Sequence, residues 1–156
     1  MRIETPSWSI ELQTGWAAVV ADDQSWVRLF FAGTTRNEEM SSTVEAGSAE
    51  VSLEIVRRSG DLPVAELAEA IMKRHVRQGE PERSSRLLGG RAALVYSWTD
   101  GVQDIETLFV AEDASLFLRI DVSTAAIASS RQQAARRGRL AAEALLGRFT
   151  FTEEPA

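Results

Sequence analysis

The chain has 156 residues, 44% of them hydrophobic and 26% charged, with a net charge of −6 and a pI near 4.9. It has no cysteine and one histidine, which excludes disulfides, thiolate catalysis, cysteine–zinc sites and a multi-histidine metal centre within one chain. The acidic balance argues against nucleic acid as a partner, because phosphate binding needs a cationic face. The length is that of one domain, 1–156, able to bury roughly 70% of its unfolded surface.

The start, "MRIETPSWSIEL", has charges and a proline where a signal peptide needs an apolar run. No apolar stretch approaches the ~20 residues of a membrane span. The expectation is therefore a cytoplasmic protein without membrane insertion, a monomer or homodimer. In "SWSIELQ", Trp8, Ile10 and Leu12 alternate with Ser9 and Glu11, the pattern of a half-buried strand. "TGW" (Thr14 to Trp16) reads as a turn followed by an aromatic. "SWVRLFFAG", residues 25–33, is apolar on both faces and predicts a central strand. Residues 34–48 are polar without a period, a loop of the length that tends to be functional. "EVSLEIVRR" alternates again, with Val51, Leu53 and Ile55 inward.

"GDLPVAELAEAIMKRHVRQG", residues 60–79, predicts a helix capped by Asp61, with Pro63 in its first turn and Gly79 at its end. Its apolar stripe is Val64, Leu67, Ala68, Ile71 and Met72, with His75 at the margin. "EPERSS" reads as a loop. A meander of three strands follows over residues 86–121. "SSRQQAARRGRLAAEALLG" predicts a second helix with Ser130 and Gln133 in capping-box spacing and an inner stripe of Ala134, Gly138, Ala141, Ala142 and Leu145. Such small residues permit close approach to a sheet. "RFTFTE" closes the chain as a short strand.

The Asp-Gly of "TDGV" marks a two-residue hairpin turn. Thr99 would then face Val102, placing Tyr96 opposite Ile105 and Ala92 opposite Phe109. A second tight turn at Glu112-Asp113 would set Ile105 against Ile120, Thr107 against Leu118 and Phe109 against Leu116, all on one apolar face. The other face would carry the rows Ser97–Asp104–Asp121, Val95–Glu106–Arg119 and Ala93–Leu108–Phe117. In that register Glu106 and Arg119 form a cross-strand ion pair, and the face grades from polar to apolar.

Few residues carry a chemical signature. Asp104 and Asp121, side by side in this register, could hold a hard cation or share a proton. A good cation site needs about six oxygens, so a solvated sheet face is the competing reading. His75 could be a general base, but no nucleophile stands at a telling spacing, and a half-buried packing histidine fits the stripe. In "RRGR" (Arg136 to Arg139), Arg136 and Arg139 point away from the small-residue stripe, with Glu143 four residues after Arg139. That is a salt-bridged solvent face rather than a phosphate site. Gly89-Gly90 precedes no helix and reads as a tight bend before a strand, not a phosphate loop. Trp8, Trp16, Trp26 and Trp98 read as core aromatics, any one of which could instead anchor an interface. No catalytic residue and no cofactor is implied.

The order of parts resembles the PsbP-like superfamily, which includes the photosystem extrinsic subunit, a eukaryotic Ran-binding import factor and DcrB-like bacterial proteins. "SIELQTGW" matches an opening strand ending in Gly-Trp, "GGRAALVYSW" a Gly-led strand, "IETLFVAEDASLFLRIDVS" a long hairpin, and "LLGRFTF" the closing helix and strand. Gln13 departs from the pattern, standing where a proline is expected. The resemblance implies an α+β fold in which an antiparallel sheet is flanked by two main helices, a PsbP-like α/β/α sandwich. It also implies action by protein binding, without an active site. Some DcrB-like relatives look like chaperones of type VI secretion effectors. The expectation is a non-enzymatic adaptor or chaperone whose partner is another protein, with a secreted effector as one option. Its expected surface is Phe117, Arg119, Glu106 and Asp104, together with the 34–48 loop. A carrier of a small apolar ligand and a weak carboxylate- or metal-dependent hydrolase using Asp104 and Asp121 are the alternatives.

Overall fold

The computed structural model describes residues 1–31, 49–57, 63–75, 81–99, 103–111, 116–125 and 132–152. The elements are β1 (Arg2–Glu4), β2 (Trp8–Glu11), β3 (Trp16–Val20), β4 (Trp26–Phe31), β5 (Ala49–Arg57), α1 (Val64–His75), β6 (Glu82–Leu88), β7 (Arg91–Thr99), β8 (Gln103–Ala111), β9 (Leu116–Ala125), α2 (Gln132–Leu146) and β10 (Phe149–Phe151). Among the described residues seven strands form one antiparallel sheet in the order β3-β4-β5-β9-β8-β7-β6, and β1-β2-β10 form a second, small one. The expected α+β class, an antiparallel sheet with a helix on each face, is what the chain adopts.

The alternating strands behave as their patterns require. Trp8, Ile10 and Leu12 are buried, as are Val51 and Leu53, with Ile55 packed at the margin. β4 differs from expectation. It lies second from the sheet edge, and only Val27 and Leu29 are buried, while Trp26 and Phe30 are 40% and 37% exposed. An apolar residue does not by itself require a cover, since much of any folded surface is apolar.

β1, β3 and β6 are strands that the sequence pattern does not announce. β6 is the clearest case. Its residues are almost all polar and exposed, so no alternation marks it. What forms it is the turn: Gly89 and Gly90 have φ of 56° and 85°, the two-residue geometry that follows the twist of a hairpin. Leu88 then pairs with Arg91, and Glu82 with Ser97. A Cβ on Gly89 would also lie 3.0 Å from the Phe151 ring and 3.1 Å from the Phe149 carbonyl oxygen. The hairpin thus packs directly against the small sheet.

Both helices form where expected. The Pro63 carbonyl accepts from the amides of Glu66 and Leu67 at the start of α1. Ala68 and Met72 are buried, with Val64, Leu67 and Ile71 beside them, against Tyr96, Phe109 and Phe117. Asp61 and Gly79 lie outside the described residues, as does the side chain of His75. α2 covers the opposite face, packing chiefly on β5 and β9. Its inner stripe is Gly138, Ala142, Leu145 and Leu146, and Ala141 is only half-buried. The helix is therefore turned slightly from the expected orientation, toward the i, i+4, i+7, i+8 set that includes Leu146. Ser130 and the side chains of Gln133 and Ala134 lie outside the described residues.

Ala142→Leu should lower stability by about 1–3 kcal/mol through overpacking, whereas Arg136→Ala on the exposed face should change it by less than about 0.5 kcal/mol. Urea denaturation of the two variants measures the contrast.

Candidate functional site

Strand register decides which side chains meet. β7 and β8 pair with Trp98 opposite Ile105, Tyr96 opposite Thr107 and Thr99 opposite Asp104. This lies two residues from the register expected of a tight Asp-Gly turn, a shift that leaves every side chain on its expected face. β8 and β9 pair with Leu108 opposite Ile120, Phe109 opposite Arg119 and Ala111 opposite Phe117. Here the shift is three residues, and an odd shift exchanges the faces. The connection between them, residues 112–115, lies outside the described residues.

The expected quartet is therefore divided between two faces. Phe117 and Arg119 lie on the α1 side, and Asp104 and Glu106 on the α2 side. Glu106 stands opposite Val122 and Ser97 rather than Arg119. Asp104 stands opposite Thr124, while Asp121 stands opposite Thr107 and Ser52. The adjacent carboxylate pair that the hydrolase alternative requires is not assembled.

Phe117 is 1% exposed and belongs to the core beneath α1, where its ring lies 6.0 Å from that of Phe109. Phe109 meets Tyr96 edge-on at 5.8 Å. Burial raises the Tyr96 phenol above its ordinary pKa. Arg83 opposes that shift and Glu69 adds to it. Glu69 of α1 accepts from Arg83 of β6 at 2.9 Å, tying the helix to the sheet edge. Beside this core, Thr107 Oγ1 donates to Asp121 Oδ1 at 2.7 Å, and Arg119 Nε donates to Asp121 Oδ2 at 2.9 Å. The hydroxyl of a fully buried threonine is thus satisfied by a carboxylate that Arg119 also holds.

The α2 face holds a groove. Because α2 lies over β5 and β9, the β6–β8 end of that face is only partly covered, and a space of about 440 Å³, open to solvent, lies between helix and sheet. Val122, Ala142 and Leu146 give it an apolar strip, and Ser97, Thr99 and Thr124 supply hydroxyls. Its charged residues are Glu82, Arg86, Asp104, Glu106, Arg139 and Glu143. Glu106 bridges strand and helix: Arg86 Nη1 is 3.8 Å from Oε2 and Arg139 Nη2 is 3.5 Å from Oε1. Arg139 Nε also lies 3.9 Å from Glu143 Oε1. Each of these pairs is partly exposed and contributes at most about 1 kcal/mol.

Arg139, expected on a salt-bridged solvent face with Glu143, stays partly exposed and keeps that pair, but it also reaches Glu106 of β8. Arg136 is exposed, as expected. The four tryptophans differ: Trp8 is fully buried, Trp16 and Trp98 half-buried, and Trp26 exposed. Residues 34–48 lie outside the described residues. Arg86 and Arg139 were not read as site residues, since β6 carries no strand pattern and the helical wheel alone does not show Arg139 reaching Glu106.

No family model matches the chain, and no curated protein matches it. Solved structures do share its fold. LpqN of Mycobacterium tuberculosis, involved in cell envelope biogenesis, is 12% identical with a TM-score of 0.60, over 98% of this chain and 91% of that one. A mutant of the protein Mog1 is 9% identical with a TM-score of 0.55, over 96% of this chain and 94% of that one. The cyanobacterial PsbP of Synechocystis sp. PCC 6803 is 12% identical with a TM-score of 0.52, over 97% of this chain and 92% of that one. The chain has the PsbP-like fold that its motifs resemble.

Two variants test the division of faces. Phe117→Ala should destabilise the protein by about 3–5 kcal/mol, as removal of a core aromatic does. Thr107→Val should cost about 1–3 kcal/mol through loss of its bond to a charged acceptor. Thermal and chemical unfolding read both, and a Phe117→Ala change near zero would place Phe117 at the surface.

Proposed function

We propose that this chain is a non-enzymatic protein-binding module, an adaptor or chaperone, and that it docks its partner in the groove beside α2. The observation that supports this reading is the groove's make-up. An open cleft with an apolar strip of Val122, Ala142 and Leu146, rimmed by charged side chains, has the layout of a docking surface with an apolar centre and polar edge. The reading keeps Asp104 and Glu106 as partner-binding residues and assigns Phe117 to the core.

The groove is less suited to an apolar carrier. A cavity for such a ligand encloses it with few polar groups, and this one is open and ringed by six charged residues. Among the described residues no helix is long and apolar enough to cross a membrane. A bacterial secretion effector remains one class of partner for such a module.

Affinity purification from the native host, read by quantitative mass spectrometry, tests the proposal. Wild type and Arg28→Ala, altered on the other sheet face, should recover the same stoichiometric partner. Ser97→Trp, which fills the groove, should lose it with an unchanged circular dichroism spectrum. Equal recovery by all three proteins would remove the groove as the docking site. A turnover that disappears in Asp104→Asn would replace the adaptor with an enzyme.

A further inference from the structure

The groove is unbalanced in charge. Among the described residues its lining has four carboxylates, Glu82, Asp104, Glu106 and Glu143, against two guanidinium groups, Arg86 and Arg139, an excess of two negative charges. Both guanidinium groups already face carboxylates inside the lining, Arg86 facing Glu106, and Arg139 facing Glu106 and Glu143. An occupant therefore meets a lining of net negative charge. The hydroxyls of Ser97, Thr99 and Thr124 add further oxygen atoms to the same space, and the chain as a whole carries −6. Beside these oxygens lies the apolar strip of Val122, Ala142 and Leu146. A surface with an aliphatic strip and an anionic end matches a side chain with a methylene stem and a cationic head.

We propose that the groove receives a lysine or arginine side chain presented by an extended segment of a partner protein. The stem lies along Val122, Ala142 and Leu146, and the head sits among the carboxylates and hydroxyls. The commitment to a protein segment comes from the edge strand. Among the described residues β6 ends the sheet, and it contributes Glu82 and Arg86 to the groove. A segment entering there meets backbone donors and acceptors along an edge, where strand addition gives affinity. A free polyamine gains nothing from that edge. This inference rests on the protein-binding reading and specifies its partner.

The test uses a displayed library of random peptides of about 12 residues, long enough to occupy the groove and run along β6, selected on the immobilised full chain. Selected peptides should be enriched in lysine and arginine over aspartate and glutamate, and should not bind Ser97→Trp. A synthetic copy of the best binder should weaken about tenfold between low and high salt, as a charge-led contact does, and at matched ionic strength spermidine should compete far more weakly than the unlabelled peptide itself. The exposed-rim double variant Glu82→Lys with Glu143→Lys should reverse the enrichment toward acidic peptides.

Enrichment of acidic or purely apolar peptides on wild type, with loss on Ser97→Trp, would overturn the cationic occupant and leave the groove a docking site. Spermidine competing as strongly as the unlabelled peptide at matched ionic strength would overturn the protein segment. Absence of any selected binder would overturn the inference, whereas partner capture insensitive to Ser97→Trp would separately remove the docking reading.

Discussion

The pairing of β8 with β9 fixes which side chains meet α1 and which meet α2. With Leu108 opposite Ile120 and Phe109 opposite Arg119, Leu108, Val110, Leu118, Ile120 and Val122 point to α2, and Phe109 and Phe117 to α1. Moving β9 by one residue would place Arg119 and Asp121 against the apolar stripe of α2. Burying those charges without their present partners would cost several kcal/mol. The same pairing brings Thr107 against Asp121 and sets Glu106 where Arg86 and Arg139 reach it from either side. Core, ion pairs and groove thus follow from one strand alignment.

The two helices then divide the sheet unevenly. α1 seals the β7–β9 region with an aromatic cluster, and its Glu69–Arg83 pair fastens it to β6. α2 approaches the sheet closely through Gly138 and Ala142, but it sits over β5 and β9. The end of β7 and β8 on that side is left to charged residues, which stay hydrated and line an open cleft. The small sheet of β1, β2 and β10 completes the α2-side core. Phe149 stacks on Trp8 at 5.4 Å, and the Arg91 guanidinium lies 4.1 Å from the Phe151 ring centroid.

Much of this was legible from the residue pattern, and each exception has a physical cause. β5 alternates, β2 does so except that Ser9 is buried as well, and both helices carry a 3.6-residue stripe. The β8–β9 alignment was misread because both strands are apolar on both faces: Leu108, Phe109 and Val110 are all buried, as are Phe117, Leu118 and Ile120. Where both faces are buried, alternation no longer distinguishes one register from its neighbour. β6 was missed for the opposite reason. It has few apolar residues, and the positive φ values at Gly89 and Gly90 turn it back onto β7, whose pairing holds it. The groove combines those two elements with a modest helix rotation. Asp104 and Glu106 could be singled out in advance, but Arg86 and Arg139 could not.

The absence of cysteine from the chain permits a clean measurement of the strand alignment. In the structure Ile105 stands opposite Ser123, at a separation that a disulfide spans in an antiparallel pair. The double variant Ile105→Cys with Ser123→Cys should form an intramolecular disulfide under mild oxidation, seen by non-reducing electrophoresis and peptide mapping, and should retain its circular dichroism. Ile105→Cys with Ile120→Cys places the two thiols on opposite faces and should remain reduced. Cross-linking of the second pair but not the first would contradict the alignment, and with it the separation of the α1 core from the α2 groove.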